Sequence, residues 1–580
     1  MKWISYLCSA LCLFAVQSAI AAVPVTMSGP SPAIAGSYNA GDANTFTYTI
    51  TNNVPNKSFP ITASGISNPV SRTTVSNDCG STLPKGPSIC NIGILIAPQA
   101  SDAGKTFNQI LSVNYQGRIP LTSNLAFSTG TVTTAILTAS GQDDTGTAPP
   151  LLVVSTNSGN TWIVKSVTGL TINGTFSGSS CTGSGSAAIC ITAGQDSTGS
   201  TPPLLAVSTD GGNNWATKSV TGLPVSGFFL GTSCTGSGST AVCTAVGEGN
   251  PDPLIAVSTD GGNNWAVKPV TGLPAIGIFV GASCTGSGSS AVCAAAGYDG
   301  IVTTPILAVS TDGGNTWIKK SVTGIPVSAN FRATSCTGNG SSAICTAVGQ
   351  DTTGTAIVAV STDGGNTWAI KPVPGLTIGG IFFGTSCIGS ESSAICIATG
   401  QDGTGVPLVA VSTDGGNTWA VKSVTGLPVS GFLIAASCSG SGPAAVCTAA
   451  GTDGTGSEPP LLIVSTDGAN TWAVRSVLGL PASGIFRTTI CTGSGSTAIC
   501  TAAGQDYTGS TPPLLALSTD GGNTWAVKFV SAFPASGVFN GTSAASGGQG
   551  FANLFDQPKF GAGKVLESLI HPVRKGIKFN

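Results

Sequence analysis

The stretch Ser361-Thr-Asp-Gly-Gly-Asn-Thr-Trp368 is one of eight near-copies of a single octapeptide that lie between Ser155 and Trp525. Their tryptophans, at 162, 215, 265, 317, 368, 419, 472 and 525, stand 53, 50, 52, 51, 51, 53 and 53 residues apart. Each residue type in the octapeptide has a mechanical reading. Asp and Ser side chains accept hydrogen bonds from turn amides, Gly permits positive φ, and Trp packs its ring beneath the turn. Self-similarity at a fixed period near fifty marks a repeat architecture, in which one unit cannot bury its faces alone and neighbours must stack.

Around each octapeptide the unit supplies four strand-like runs. In the third copy these are Gly227-Phe-Phe-Leu-Gly-Thr-Ser-Cys234, Ala241-Val-Cys-Thr-Ala-Val-Gly247, Pro253-Leu-Ile-Ala-Val-Ser258 and Asn264-Trp-Ala-Val-Lys-Pro-Val270. Four such runs with short turns make one twisted antiparallel blade. The octapeptide resembles the Asp-box, or BNR repeat, of sialidases, sortilin-type receptors and photosystem assembly factors. That resemblance implies a β-propeller with the box as the turn between the third and fourth strands of each blade. The expected fold is therefore all-β, an eight-bladed β-propeller, or a seven-bladed one if the first, cysteine-free copy is only a partial blade. The last copy runs on into Gly537-Val-Phe-Asn-Gly-Thr-Ser543, a first-strand motif without a blade of its own. It is expected to supply the inner strand of blade one and close the ring. The cation three residues after each Trp, Lys165 to Lys528, reads as edge protection on an outermost fourth strand.

Composition narrows the function. With 22 Lys and Arg against 24 Asp and Glu, and 81 Gly, the chain has no basic footprint for nucleic acid, yet is too apolar for disorder. Residues 1–22, with Lys2, the apolar run Trp3 to Ala15 and Ala19-Ile-Ala-Ala22, read as a secretory signal peptide. Cys12 follows Leu11, which favours simple export over a lipid anchor. No later segment is continuously apolar for about 20 residues, so no spanning helix is expected. A monomer exported to the periplasm, the cell surface or the medium is the expected form.

Sixteen cysteines remain after the signal. Seven pairs share one spacing, namely Cys181 and Cys190, Cys234 and Cys243, Cys284 and Cys293, Cys336 and Cys345, Cys387 and Cys396, Cys438 and Cys447, and Cys491 and Cys500. Each frames a Gly/Ser turn between β-forming runs and reads as a hairpin stapled across its strands. Cys79 and Cys90 make the eighth pair. With His571 as the one histidine and no clustered Cys-x-x-Cys, neither a metal nor a cofactor is expected. Even pairing with export implies an oxidising compartment.

Residues 23–124 differ from the repeats, with alternating segments such as Thr45-Phe-Thr-Tyr-Thr-Ile-Thr51 at the length of one β-sandwich. The stretch from Asn77 to Cys90 resembles the cysteine hairpin of immunoglobulin-like domains on bacterial envelope proteins. The domain reading is thus a signal at 1–22, an immunoglobulin-like sandwich at 23–124, a propeller at 125–546 and a C-terminal tail at 547–580, read as a frayed terminus with a basic end, the alternative being a short helix over Val565 to Ile570 stopped before Pro572.

Chemistry is expected on the face opposite the boxes. Its loops read Gly-Gln-Asp-x-Thr-Gly and place Asp143, Asp196, Asp351, Asp402 and Asp506 at one repeated position, with Asp299, Asp453 and, in the odd copy, Glu248 nearby. These carboxylates could meet a ligand or serve the turns themselves. A catalytic centre must break symmetry, and the breaks are Arg332 and Arg487 in the first strands of blades five and eight, Tyr298 and Tyr507 in the loops, and Glu391 and Glu458. Sialidases of the resembling family use three arginines, a Tyr/Glu pair and an Asp. Here Arg332 and Arg487 give two of three, and Gly117-Arg-Ile-Pro120 falls outside the repeats. The candidate ligand-binding residues are Arg332, Arg487, Asp196, Asp351, Asp402 and Asp506. The preferred function is a non-enzymatic recognition or scaffold protein for a glycan or protein, the alternative a sialidase-like glycoside hydrolase.

Overall fold

The computed structural model describes residues 25–545 except 32–36, 39–43, 67–72, 79–80, 97–105, 116–120, 130–134, 146–148, 171–172, 198–201, 301–303, 327, 377–378 and 531. The signal, Cys79, Gly117-Arg-Ile-Pro120 and the tail lie outside the described residues. The chain divides into two compact units, Met1–Val132 and Thr133–Asn580.

In the first unit, strands Val25–Ser31, Asn44–Asn52, Ser88–Ile96 and Thr73–Asn77 form one sheet in that order. Ser37–Tyr38, Leu121–Thr129, Thr106–Tyr115, Phe59–Ile66 and Thr82–Leu83 form the other. Tyr48, Ile50, Ile92 and Ile94 of the first sheet share one core with Phe59, Leu83, Leu111 and Val113 of the second, as inward alternation on a sandwich requires. Buried Asn52 is satisfied by the Lys57 and Pro84 carbonyls and the Val54 amide. Cys90 is disulfide-bonded.

The second unit holds eight sheets in a closed β-propeller. Blade five shows the plan, with inner strand Ala329–Thr337, second strand Ile344–Asp351, third strand Ala356–Ser361 and fourth strand Trp368–Lys371, each antiparallel to the next. Its third strand is buried at every residue because both faces are covered. Ile357 and Ala359 point with Phe331, Cys336, Cys345 and Trp368 onto Leu307 and Val309 of blade four. Val358 and Val360 point the other way, onto Phe382 and Trp419 of blade six. This is why the run reads as unbroken hydrophobicity rather than alternation.

Ring closure follows the expectation from the last repeat. Gly537–Ala545 pairs along Ile136–Asp143 as the inner strand of blade one, and Phe539 enters the core between blades eight and one with Leu515, Leu517 and Trp162. The seven predicted bridges from Cys181–Cys190 to Cys491–Cys500 are all present, each between directly opposed residues of the inner and second strands with Cα atoms 4.0–4.1 Å apart. In blade one, Ala544 faces Leu137 at that register position. The closing blade is clasped without a covalent staple.

Two features correct the sequence reading. Six of the eight blades carry five strands, not four. After the fourth strand of six blades the chain crosses to the next blade and adds a two-residue parallel strand, as Val322–Thr323 does beside Trp368–Ala369. The first two residues of the fourth strand are therefore covered in these blades, and the cation three residues after each Trp stands beyond the covered pair. Blade six lacks the fifth strand because Val373-Pro374 stands where other copies have Val followed by Thr, Leu or Ser, and proline has no amide for a ladder. Its carbonyl still accepts from the Val421 amide at 3.4 Å.

The second feature is a hydroxyl latch between inner strands. The amides of Cys234, Cys284, Cys336, Cys387, Cys438 and Cys491 donate to Ser180, Ser233, Ser283, Ser335, Ser386 and Ser437 of the preceding blade at 2.8–3.0 Å. Inner strands have no partner on the axial side, so these serines supply the missing acceptors. Replacing Ser335 by Ala is expected to cost about 1–3 kcal/mol by leaving the buried Cys387 amide unmatched. Exposed Ser393→Ala should cost under about 0.5 kcal/mol. Denaturant unfolding of the two variants compares them.

Candidate functional site

The antiparallel order puts the turns between first and second and between third and fourth strands at one end of every blade, and the loops after the second strand at the other. At the turn end, Asp363 of the box accepts from the Ser361 hydroxyl at 2.8 Å and the Thr367 amide at 2.9 Å. The Gly365 amide donates to Ser361, and the Trp368 indole N–H to the Gly365 carbonyl. Slight burial works to raise the Asp363 pKa, but hydrogen bonds from Thr367, Ser361 and Asn366 outweigh it and hold the carboxyl below its ordinary value. The same balance depresses Asp210, Asp260, Asp312, Asp414, Asp467 and Asp520. Groups with a depressed folded pKa stabilise the fold above the unfolded value of about 3.9, and that support is lost as pH falls below it. Thermal stability is thus expected to drop steeply below about pH 4, and a set of Asp→Asn changes at the boxes should flatten the drop. Blade one already carries the neutral version, Asn157, which accepts from Ser155 and from the Thr161 amide at 2.9 Å.

At the loop end, the predicted carboxylates are engaged by their own loops. Asp351 accepts from the Thr353 and Thr355 amides at 2.9 and 2.8 Å, Asp402 from Thr404 and Val406 at 2.8 and 3.0 Å, and Asp506 from Thr508 at 2.7 Å. Asp143 and Asp453 repeat the motif with Thr145 and Thr455. Asp196 closes its loop through its backbone amide to the Pro202 carbonyl at 3.0 Å. For Asp402, slight burial raises the pKa while bonds from the Thr404 hydroxyl and the Val406, Thr404 and Gly405 amides lower it further. Glu248, half-buried and with no comparable bonds among the shifts that act on it, is raised by burial. Each Asp stands in its own blade, so the fold distributes these carboxylates around the ring.

The arginines sit at a feature that sequence reasoning missed. Every inner strand carries a β-bulge at the same place, and in blade five Phe331 faces Gly349 while Ala333 faces Val348, leaving Arg332 as the extra residue. The bulge explains the glycine of Gly-Gln-Asp, because a Cβ on Gly349 would lie 1.9 Å from the Asn330 carbonyl oxygen. Around the ring the bulged residues are Asn540, Ser177, Leu230, Val280, Arg332, Phe383, Ile434 and Arg487. Six of these are buried, and only Arg332 and Arg487 remain partly open to solvent. On the side of blades six to eight the centre is filled by Ile381, Phe383, Phe432, Ile434 and Ile485, with Tyr507 against them.

The two arginines differ in company. Arg487 hydrogen-bonds Tyr507, whose hydroxyl is pushed up mainly by burial, drawn down by Arg487 and pushed up again by the Glu458 charge. Arg332 donates from Nε to Asn330 Oδ1 at 3.1 Å and lies over the Tyr298 ring, 5.5 Å from its centroid. Burial pulls its pKa down and Tyr298 acts in the opposite sense. The arginines stand three blades apart and do not converge on one group. A separate hollow of about 690 Å³ lies at the turn end, lined by Gly, Ser, Thr and Ala187 of three hairpins and by Asn339 of a fourth. There the Thr182 and Thr235 hydroxyls already donate to the Gly236 and Gly286 carbonyls. Among the described residues no cluster of His, Cys, Asp and Glu is suited to a metal ion, and no helix is long and apolar enough to cross a membrane.

No protein-family model matches the chain, and no curated protein matches it in sequence. Among solved structures it is similar to YCF48 bound to a D1 peptide, at 16% identity over 54% of this chain and 88% of that one, with a TM-score of 0.31. It is also similar to the Aleuria aurantia lectin in complex with alpha-methyl-L-fucoside, at 12% identity over 52% and 96% of the two chains, TM-score 0.31. A Hadza microbial sialidase is 13% identical over 88% and 96%, TM-score 0.29. Likenesses this distant say nothing of what this chain binds.

Proposed function

We propose that the chain is an exported, non-enzymatic recognition protein that binds a glycan or a protein through the propeller face opposite the tryptophan turns. In this reading the octapeptides are Asp-boxes, the first unit is an immunoglobulin-like spacer at residues 23–124, the propeller spans 125–546, and the protein acts as a monomer after loss of residues 1–22. The observation that carries it is the centre of the ring, where six of eight bulged side chains are buried and the partly open ones are two arginines. A hydrolase needs a general acid and a second carboxylate facing one bond, whereas the loop carboxylates here accept bonds from their own turns. The test is an array of glycans and peptides probed with the purified mature chain. The reading expects saturable binding that Arg332→Gln or Arg487→Gln weakens and that box variants such as Asp363→Asn leave intact. Binding that depends on the boxes and ignores both arginines would contradict it.

A further inference from the structure

We propose that Phe228, Ile278, Tyr298, Asn330 and Arg332 form a docking arc for a polypeptide segment in which a carboxylate lies beside apolar side chains. The inference rests on the recognition reading and narrows it to one ligand class. Phe228, Ile278 and Asn330 occupy one register position at the start of the inner strands of blades three, four and five, opposite Glu248, Tyr298 and Gln350, and all three are partly exposed. Their counterparts Thr175, Ile381, Phe432, Ile485 and Val538 are buried. At this strand position the ring therefore opens to water, among the described residues, in blades three to five, and Ile276 stands exposed at the edge of that arc.

Arg332 lies at the end of that arc. Its contacts among the described residues are the Asn330 amide oxygen and the Tyr298 ring, and no carboxylate is among them. A recessed guanidinium without a counter-charge carries a desolvation cost that an incoming anion relieves. With Nε held by Asn330, the outer fork of the guanidinium is the part shaped for a carboxylate. Phe228 and Ile278 offer area but no hydrogen-bonding groups. A sugar's hydroxyls would find no partner on them and gain little, whereas an aliphatic or aromatic side chain would bury its apolar surface there. Arginine and aromatic residues around an apolar centre are also the composition of protein-binding hot spots.

The test uses the full mature chain and a short fluorescein-labelled peptide alternating leucine and glutamate, read by anisotropy. Controls are the same peptide with glutamine for glutamate, the same peptide with serine for leucine, and an oligogalacturonate as an acidic sugar. Binding of the leucine–glutamate peptide is expected, weakened at least tenfold, about 1.4 kcal/mol, by either peptide change and by Arg332→Gln. Ile278→Ser should weaken it severalfold, and Arg475→Gln on the fourth strand of blade seven should not. The peptide controls keep the test valid even if a variant fails to fold. Failure of the peptide to bind, or equal binding of its glutamine version, would overturn the proposal. Arg332-dependent binding of oligogalacturonate without peptide binding would overturn it while leaving the broader recognition reading standing. Turnover of a glycoside would sink both.

Discussion

A chain ending at Ser536 is expected to lose cooperative folding, which one ending at Ala545 should keep. The shorter cut removes Gly537–Ala545, which pairs with Ile136–Asp143 over its length and is buried throughout. Phe539 alone is worth about 3–5 kcal/mol in such a core. Loss of the whole strand also strips the inner edge of blade one and opens its interfaces with blades eight and two. The sum approaches the roughly 5–15 kcal/mol that holds a typical domain. Circular dichroism melts with sedimentation would check this, and a sharp melt from a monomeric chain ending at Ser536 would show that the clasp is dispensable.

Trp368→Ala is expected to cost about 3–5 kcal/mol, because the indole is 2% exposed and fills the interface between blades four and five. Its N–H also gives a hydrogen bond to the Gly365 carbonyl at 3.1 Å. Trp162→Ala should cost less. Trp162 is 8% exposed and its indole nitrogen has no acceptor in the box built on Asn157. Denaturant titration of the two variants gives the comparison. Equal losses would mean that the indole hydrogen bond and the tighter burial in blade five contribute nothing measurable.

The legible parts of this fold are those that repeat. The period placed the blades, and the Cys-to-Cys spacing of nine residues placed the seven hairpin bridges, because directly opposed strand residues are the positions a short loop can join. The closing strand was legible because Gly537-Val-Phe-Asn-Gly-Thr-Ser543 repeats the Gly-x-Phe-x-Gly-x-Ser start of the inner strands of blades two, three, four and six. What stayed hidden depends on backbone register. Gly349 reads as part of a Gly-Gln-Asp turn, yet its role is to admit the inner-strand carbonyl beside the bulge at Arg332. Val322-Thr323 is too short to announce itself as a strand, and it forms because the neighbouring blade offers an open edge. Pro374 was the visible signal, since it is the one proline among the eight equivalent positions and cannot donate.

The site was partly legible for the same reason. Arg332 and Arg487 stood out as breaks in symmetry, and the structure puts both at the bulge. Sequence could not tell them apart, because their difference lies in residues brought from elsewhere. Tyr507 reaches Arg487 with Glu458 nearby, whereas Arg332 meets Tyr298 of the preceding blade and Asn330. The loop aspartates were open to two readings in sequence. Their bonds to Thr353, Thr404 and Thr508 give each a turn-forming task.

The measurement that bears most directly on the account follows the fate of a bound ligand. The mature chain is incubated with each glycoside or peptide that binds it on the array, and the ligand is recovered and analysed by mass spectrometry. The account predicts that the ligand returns intact, with affinity reduced by Arg332→Gln and unchanged by Asp402→Ala. A cleaved product whose formation is abolished by Asp402→Ala or Arg332→Gln, with thermal unfolding unaltered, would contradict it.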